Sequence, residues 1–182
     1  MKIKYILYFL IFFASTTNAQ KYAPLDQGSK VHFVIKNFGI KTGGQLIGLK
    51  GDIYFFTSDL AACRFNVSVR PSTIDTDNES RDKHLKGEEY FDVEKFPEIK
   101  LESTKLEKTN KTVDGYYFLS ANLTIHGITK SISFPFHAEK QNDSYLFTGE
   151  FEINRLDFGV GKNSAVLSNT VAVSISVLAK KN

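Results

Sequence analysis

From Ser29 to Asn37 apolar and polar residues alternate: Val31, Phe33 and Ile35 fall on one side of an extended chain, His32 and Lys36 on the other. Arg64 to Arg70 repeats the pattern, with Phe65, Val67 and Val69 opposite Arg64, Asn66, Ser68 and Arg70. Near the C-terminus Val171, Val173, Ile175 and Val177 oppose Ala172, Ser174 and Ser176. A period of two marks a strand with one face in a core and the other in or near water. Asp52 to Phe56, Tyr116 to Ile125 and Ile132 to Phe136 are apolar or aromatic on both faces, or nearly so. Turn chemistry separates these runs at Thr42-Gly43-Gly44, Thr112-Val113-Asp114-Gly115, Gln141-Asn142-Asp143 and Gly159-Val160-Gly161. Several strands at short spacing, with no long helices between them, predict a single antiparallel sandwich or barrel.

One segment breaks the pattern. Charges crowd together from Thr76 to Lys86, and a helix starting here would be capped by Asp77 or Asn78. Pro97 ends it and launches the next strand. This helix is either a plug against an open end of the sheet or a plain crossover connection.

The first 19 residues stand apart. Lys2 and Lys4 precede the apolar run Tyr5 to Ala14, and Thr17-Asn18-Ala19 offers a small-residue cleavage site. This is the layout of a secretory signal peptide, too short to span a bilayer. Cleavage leaves 20–182 as one domain, expected to be periplasmic or secreted and to have no transmembrane segment. It also removes two of the 23 basic residues and none of the 20 acidic ones, so the formal charge falls from +3 to +1. No basic block remains to suggest nucleic acid. The lone Cys63 excludes an internal disulfide and reads as a small buried hydrophobe.

Catalytic signatures are missing. There is no G-x-S-x-G elbow, P-loop or dinucleotide fingerprint, and His32, His84, His126 and His137 lie at no metal-ligand spacing. The expectation is therefore no enzyme, no metal and no cofactor. Asn66-Val67-Ser68 and Asn122-Leu123-Thr124 match glycan acceptors by chance, inside predicted strands. Sixteen Phe and eight Tyr, with no Trp, supply material for a packed core. An eight-stranded barrel is also about the size that holds one small ligand, and these side chains would suit an apolar one.

Four motifs then occur in order. Ser72-Thr73-Ile74-Asp75-Thr76 precedes Arg81-Asp82-Lys83-His84-Leu85, and Tyr90-Phe91-Asp92-Val93 runs on to Phe96-Pro97. Leu123-Thr124-Ile125-His126-Gly127-Ile128-Thr129-Lys130 and Ile153-Asn154-Arg155-Leu156-Asp157-Phe158-Gly159-Val160 follow. Together, over roughly residues 28–180, they resemble the signature of the YceI-like family. Thr73 is an insertion relative to that pattern, and Lys36-Asn37-Phe38-Gly39 replaces a region where the family often carries a histidine. The resemblance implies an all-β fold, an extended eight-stranded antiparallel lipocalin-like β-barrel with one short helix in a mid-sequence connection. It also implies an exported protein that binds a long-chain isoprenoid or other amphiphilic lipid, such as an isoprenoid quinone or a fatty amide or acid. Binding would serve transport, storage or a stress response.

The alternating apolar residues Phe33, Ile35, Phe55, Phe65, Val67, Phe118, Phe134, Phe147 and Ile153 are the expected lining. Either strand face can be the inner one, so ordinary core packing is the alternative for each. Arg81, His84, Arg155 and Asp157, inside the motifs, are the expected polar contacts, unless the Arg and Asp pair merely to brace the helix. Each five-carbon isoprene unit buried would gain about 4 kcal/mol gross, so the chain supplies affinity and the polar groups supply orientation. A ligand-free interaction module and an enzyme acting on an amphiphile remain as alternatives, and a homodimer through an edge strand or the helix stays open.

Overall fold

The computed structural model describes residues 20–110 and 113–182. The expected signal peptide over 1–19, and Thr112 of one expected turn, lie outside them. The strands are β1 (Lys21–Pro24), β2 (Lys30–Asn37), β3 (Ile40–Leu46), β4 (Lys50–Tyr54), β5 (Arg64–Val69), β6 (Ile99–Lys108), β7 (Tyr116–Ile125), β8 (Ile128–Gln141), β9 (Ser144–Asn154) and β10 (Leu167–Lys181). A single α-helix, α1 (Glu79–Leu85), sits between β5 and β6 among the described residues. The antiparallel ladder runs β1-β4-β5-β6-β7-β8-β9-β10 and closes where β1 pairs back onto β10, giving an eight-stranded barrel.

β2 and β3 extend that ring rather than adding to it. β1 and β2 lie end to end along one edge of β10, whose Ala179 and Ile175 pair with Pro24 and Val31. The interruption at 25–29 is bridged by Ser29, whose hydroxyl accepts from the Leu178 amide at 2.9 Å. A matching break separates β3 from β4. There the Asp26 carboxylate accepts from the Gly48 amide at 2.9 Å and the Leu49 amide at 2.5 Å, tying the two interruptions together.

The hairpin turn falls at Phe38-Gly39, with φ of 49° and 75°, and not at the expected Thr42-Gly43-Gly44. Gly43 and Gly44 are inside β3. A Cβ on Gly44 would come within 2.6 Å of the Phe33 ring and 2.8 Å of the Asp75 carbonyl, so this glycine serves close approach rather than a turn.

The two ends of the barrel differ in content. In the end closed by β1 and β4, Phe55 is 1% exposed and meets the rings of Tyr117, Tyr145 and Phe147 edge-on, with centroids 5.0 to 5.3 Å apart. Phe65 and Phe136 join them. Edge-to-face pairs of this kind contribute about 0.5–1.5 kcal/mol each beyond area burial, and they fill this half of the barrel solidly. Cys63 is buried beside them, its sulfur accepting from the Phe56 amide at 3.2 Å, and burial pushes the thiol pKa up.

At the other end β5 stops at Val69, while β3 runs on to the hairpin. Beyond the Gln45–Asp75 bridge, β3 therefore has no ladder partner on that edge. The segment from Pro71 to Phe96, with α1 inside it, covers the gap. Asn78 caps α1, its side chain accepting from the Arg81 amide at 2.9 Å. Asp75 accepts from the Asp77 amide and from Gln45, which together hold its carboxyl below the usual carboxylate range. Of the two roles left open for this helix, plug or plain crossover, its place over the gap beside β3 fits the plug.

Truncating Phe55→Ala is expected to cost about 3–5 kcal/mol, read as a lower urea midpoint at unchanged slope. A wild-type midpoint would mean the ring cluster contributes little. Tyr22, Tyr117 and Tyr145 have phenol pKa values raised above the usual 10.0, burial being the largest cause in each. The folded state holds these protons more tightly than the unfolded chain. Their contribution to stability is therefore complete below about pH 10 and drains away as alkali titrates the folded protein. Absorbance titration of the tyrosinates should show late ionisation coinciding with alkaline unfolding.

Candidate functional site

Above the ring cluster the barrel encloses a cavity of about 380 Å³. Its floor is made by Val67, Leu101, Phe151, Ile175 and Val177, residues that also pack on the aromatic core below. Phe151 stacks on the buried Phe134 at 4.5 Å, so the last layer of the core and the first of the cavity are one stack. One wall is the β2–β10 pair, where Val171 lies opposite Ile35 and Val173 opposite Phe33. Leu123 and Ile125 of β7 face in from the far side, and Leu85, Tyr90 and Phe91 roof it from the plug segment. Asn37 and His84 line the cavity and are also exposed, which places its mouth between the end of β2 and α1. His84 rests against the Tyr90 ring at 4.9 Å.

Of the expected lining, Phe33, Ile35, Val67 and Ile153 face this cavity. Phe55, Phe65, Phe134 and Phe147 point inward too, but lower, where they are buried in the packed core and outside the cavity wall. Their assignment to the lining is corrected accordingly: inward direction and access to the cavity are separate properties. Phe118 is on the wrong face altogether. In β7 the inner positions are Tyr117, Leu119, Ala121, Leu123 and Ile125, leaving Phe118 half-buried outside, across from Pro135. A run apolar on both faces has no periodic signal to choose between them. Val171 and Val173, on the apolar side of an alternating run, also line the cavity, and Phe151 lies one inward step before Ile153. The roof residues Leu85, Tyr90 and Phe91 carried no signal of position, since the connection's path is set by the barrel.

The expected polar contacts divide as well. Arg81 lines the cavity, but its Nε donates to the Thr76 hydroxyl at 2.8 Å and its Nη2 to the Thr76 carbonyl. Thr76, 4% exposed, also donates its amide and hydroxyl to the Asp82 carboxylate. Arg81 therefore secures the segment leading into α1 while lining the site. His84 reaches the mouth. Asp157 is exposed and lies outside the cavity.

Arg155 is 3% exposed and does not pair with Asp157. Its Nε donates to the Ser168 carbonyl at 2.9 Å, Nη1 to Val160 at 2.8 Å, and Nη2 to Lys162 at 2.8 Å and to the Asn169 side chain at 3.0 Å. All four acceptors are neutral. A planar, permanently charged fork satisfies several carbonyls at once, and here it fixes the loop between β9 and β10 at the cavity's upper rim. The Gly161 amide in that loop donates to the Glu89 carbonyl at 2.7 Å, joining the loop to the roof. Gly161 lets Tyr90 close in, since a Cβ there would come within 2.8 Å of its ring.

Among the described residues no three His, Cys, Asp or Glu side chains gather as metal ligands. His126 is held at 3.1 Å from the Gly159 carbonyl and edge-on to Phe96. No described helix is long and apolar enough to cross a membrane.

Comparison with known proteins places this geometry. The family model described as YceI-like domain matches residues 22–179. A UPF0312 protein of Yersinia pestis (strain Pestoides F) is 30% identical over 177 residues, covering 92% of this chain and 90% of that protein. Among solved structures, BcnA of Burkholderia cenocepacia superposes with a TM-score of 0.80 at 19% identity, covering 86% of this chain and 99% of that one. A domain from Saccharophagus degradans, described as polyisoprenoid binding and implicated in plant cell wall breakdown, gives 0.71 at 15% identity, covering 88% and 98%. At these identities the two structures establish the shared barrel fold.

Replacing Arg155→Lys keeps the charge but loses the fork. Each buried carbonyl left unsatisfied costs about 1–3 kcal/mol, so a destabilisation of about 3 kcal/mol or more is expected. New protease cleavage should appear between residues 160 and 168. Unchanged stability with an intact loop would show that the guanidinium is not what holds this rim.

Proposed function

The chain belongs to the YceI-like family, and from that premise we propose that it is an exported carrier holding an amphiphilic lipid by its hydrocarbon tail. The single observation that carries this reading is the apolar cavity itself, walled by residues of β2, β3, β5, β6, β7, β9 and β10 and roofed by the α1 segment. Evolution of a packed core has no use for such a volume, because filling it with larger side chains would add stability. The description of the Saccharophagus domain as polyisoprenoid binding supports a prenyl chain as the tail. The layout of residues 1–19 supports export to the periplasm or beyond.

The volume bounds what is enclosed. An apolar cavity of about 150 Å³ holds a benzene ring, about 25 Å³ per carbon, so the cavity of about 380 Å³ takes about 15 carbons, or roughly three isoprene units. At about 4 kcal/mol per unit the gross gain is then about 12 kcal/mol, against about 4–15 kcal/mol lost on association. The balance is close, so contacts at the mouth matter. His84 and the backbone around Asn37 are the groups placed to meet a polar head. A longer tail keeps its remaining units outside the mouth, because the stacked Phe151 and Phe134 block the way down.

Affinity for a series of prenyl alcohols should therefore rise steeply up to about two or three units and then level off. Val173→Phe, which puts a ring into the cavity opposite Phe33, should leave the melting temperature within a few degrees and weaken farnesol binding at least tenfold. Equal affinity in wild type and V173F would remove the cavity from the binding site. Mass spectrometry of an organic extract from the purified protein identifies the natural tail. A protein that neither carries nor takes up any prenyl or acyl compound would overturn the carrier reading.

A further inference from the structure

Between Asp26 and Asp52 the chain carries Lys30, Lys36, Lys41 and Lys50 and no acidic residue. The β2–β3 hairpin is built entirely from this stretch. Its turn presents Phe38 and Ile40, 74% and 71% exposed, the two most exposed large hydrophobic side chains among the described residues. Two positive φ angles in succession make the tight turn that suits twisted strands, yet Phe38 is a bulky side chain in a conformation that favours Gly or Asn. Neither side chain packs on the barrel, so folding does not account for them.

Just behind the tip Lys36 and Lys41 face each other across the ladder, both exposed. Among the described residues no ion pair involves Lys30, Lys36 or Lys41. The tip is also joined to the cavity mouth. The Phe38 amide donates to the Val166 carbonyl at 2.9 Å, and the next residues inward, Asn37 and Leu167, line the cavity. Val166, 39% exposed, extends the apolar tip.

We infer that the β2–β3 hairpin docks the protein on an anionic phospholipid surface, with Phe38 and Ile40 entering the headgroup–acyl boundary and Lys36 and Lys41 facing lipid phosphates. An apolar tip collared by cations has the charge and polarity profile of such an interface. A protein partner matched to it would need an acidic rim around an apolar pocket, whereas an anionic bilayer supplies both features over its whole area. Docked in this way, the mouth beside Asn37 opens toward the membrane. The surface stands on exposure and charge alone and does not depend on which ligand the cavity takes.

The test is flotation of the purified protein with vesicles of phosphatidylcholine alone and of phosphatidylcholine with one-quarter phosphatidylglycerol. Wild type should float with the anionic vesicles at low salt and lose most of that binding in 0.5 M NaCl. Phe38→Asn with Ile40→Ser, where Asn tolerates the turn's backbone, should reduce flotation at least tenfold while farnesol affinity stays within twofold. Lys36→Glu with Lys41→Glu should abolish the preference for anionic vesicles. No flotation of wild type, or equal flotation of the tip variant, would overturn the inference. So would sedimentation velocity showing a wild-type dimer that the tip variant converts to monomer, because a second copy would then cover the patch.

Discussion

Edge-to-face packing around Phe55 is the contact on which the rest of this barrel depends. Rings from β5, β7 and β9 converge on it, and the ladder closes around them through only a few pairs between β1 and β10. Because that half is solid, the other half is free of the task of holding the sheet together. Its side chains can stand back from one another and leave a volume of ligand size. Stability and binding are thus separated along the barrel axis, with Phe134 and Phe151 as the shared boundary.

The upper half solves a different problem, that of an edge with no ladder partner. β3 outruns β5, and an uncovered edge of that kind invites association with other chains. The segment around α1 covers it by packing Ile74, Leu85 and Phe91 against Leu46, Val69 and Ile99, and adds polar ties: Gln45 to Asp75, Thr76 to Asp82, Arg81 back to Thr76. Arg155 does the same for the loop on the opposite rim. Asp75, Arg81, Asp82 and Arg155, charged groups that the motifs carry into this region, are engaged in shaping the rim, which is why the motifs are polar although the site is apolar.

Legibility in the sequence followed the physics of each signal. Period-two runs with a polar face, such as 31–35, 64–70 and 171–177, revealed a strand and its apolar face, which the barrel turns inward. The run 116–125 revealed a strand but not its inner side, and Phe118 went to the wrong face for that reason. The depth of an inward residue was not legible at all, since depth depends on register: Phe147 and Ile153 share a face of β9, six residues apart, one in the core and one at the cavity. Gly43 and Gly44 look like a turn because glycine signals both turns and close approach, and only the neighbouring Phe33 and Asp75 decide between them. The motif arginines both line the cavity, but a sequence does not show that a hydroxyl, an amide oxygen and carbonyls, rather than an aspartate, receive them.

The paired interruptions at 25–29 and 47–49, tied by Asp26, also bear on how such a protein can change over time. Register on the ring side is set by β1 and β4, and register on the hairpin side by β2 and β3, with a slip of the ladder between them absorbed in the interruptions. Insertions or deletions made two at a time at the hairpin tip alter its reach and its chemistry without disturbing a single pairing in the ring. The barrel therefore comes with an appendage of adjustable length, open to divergence among relatives while the frame that holds it stays the same.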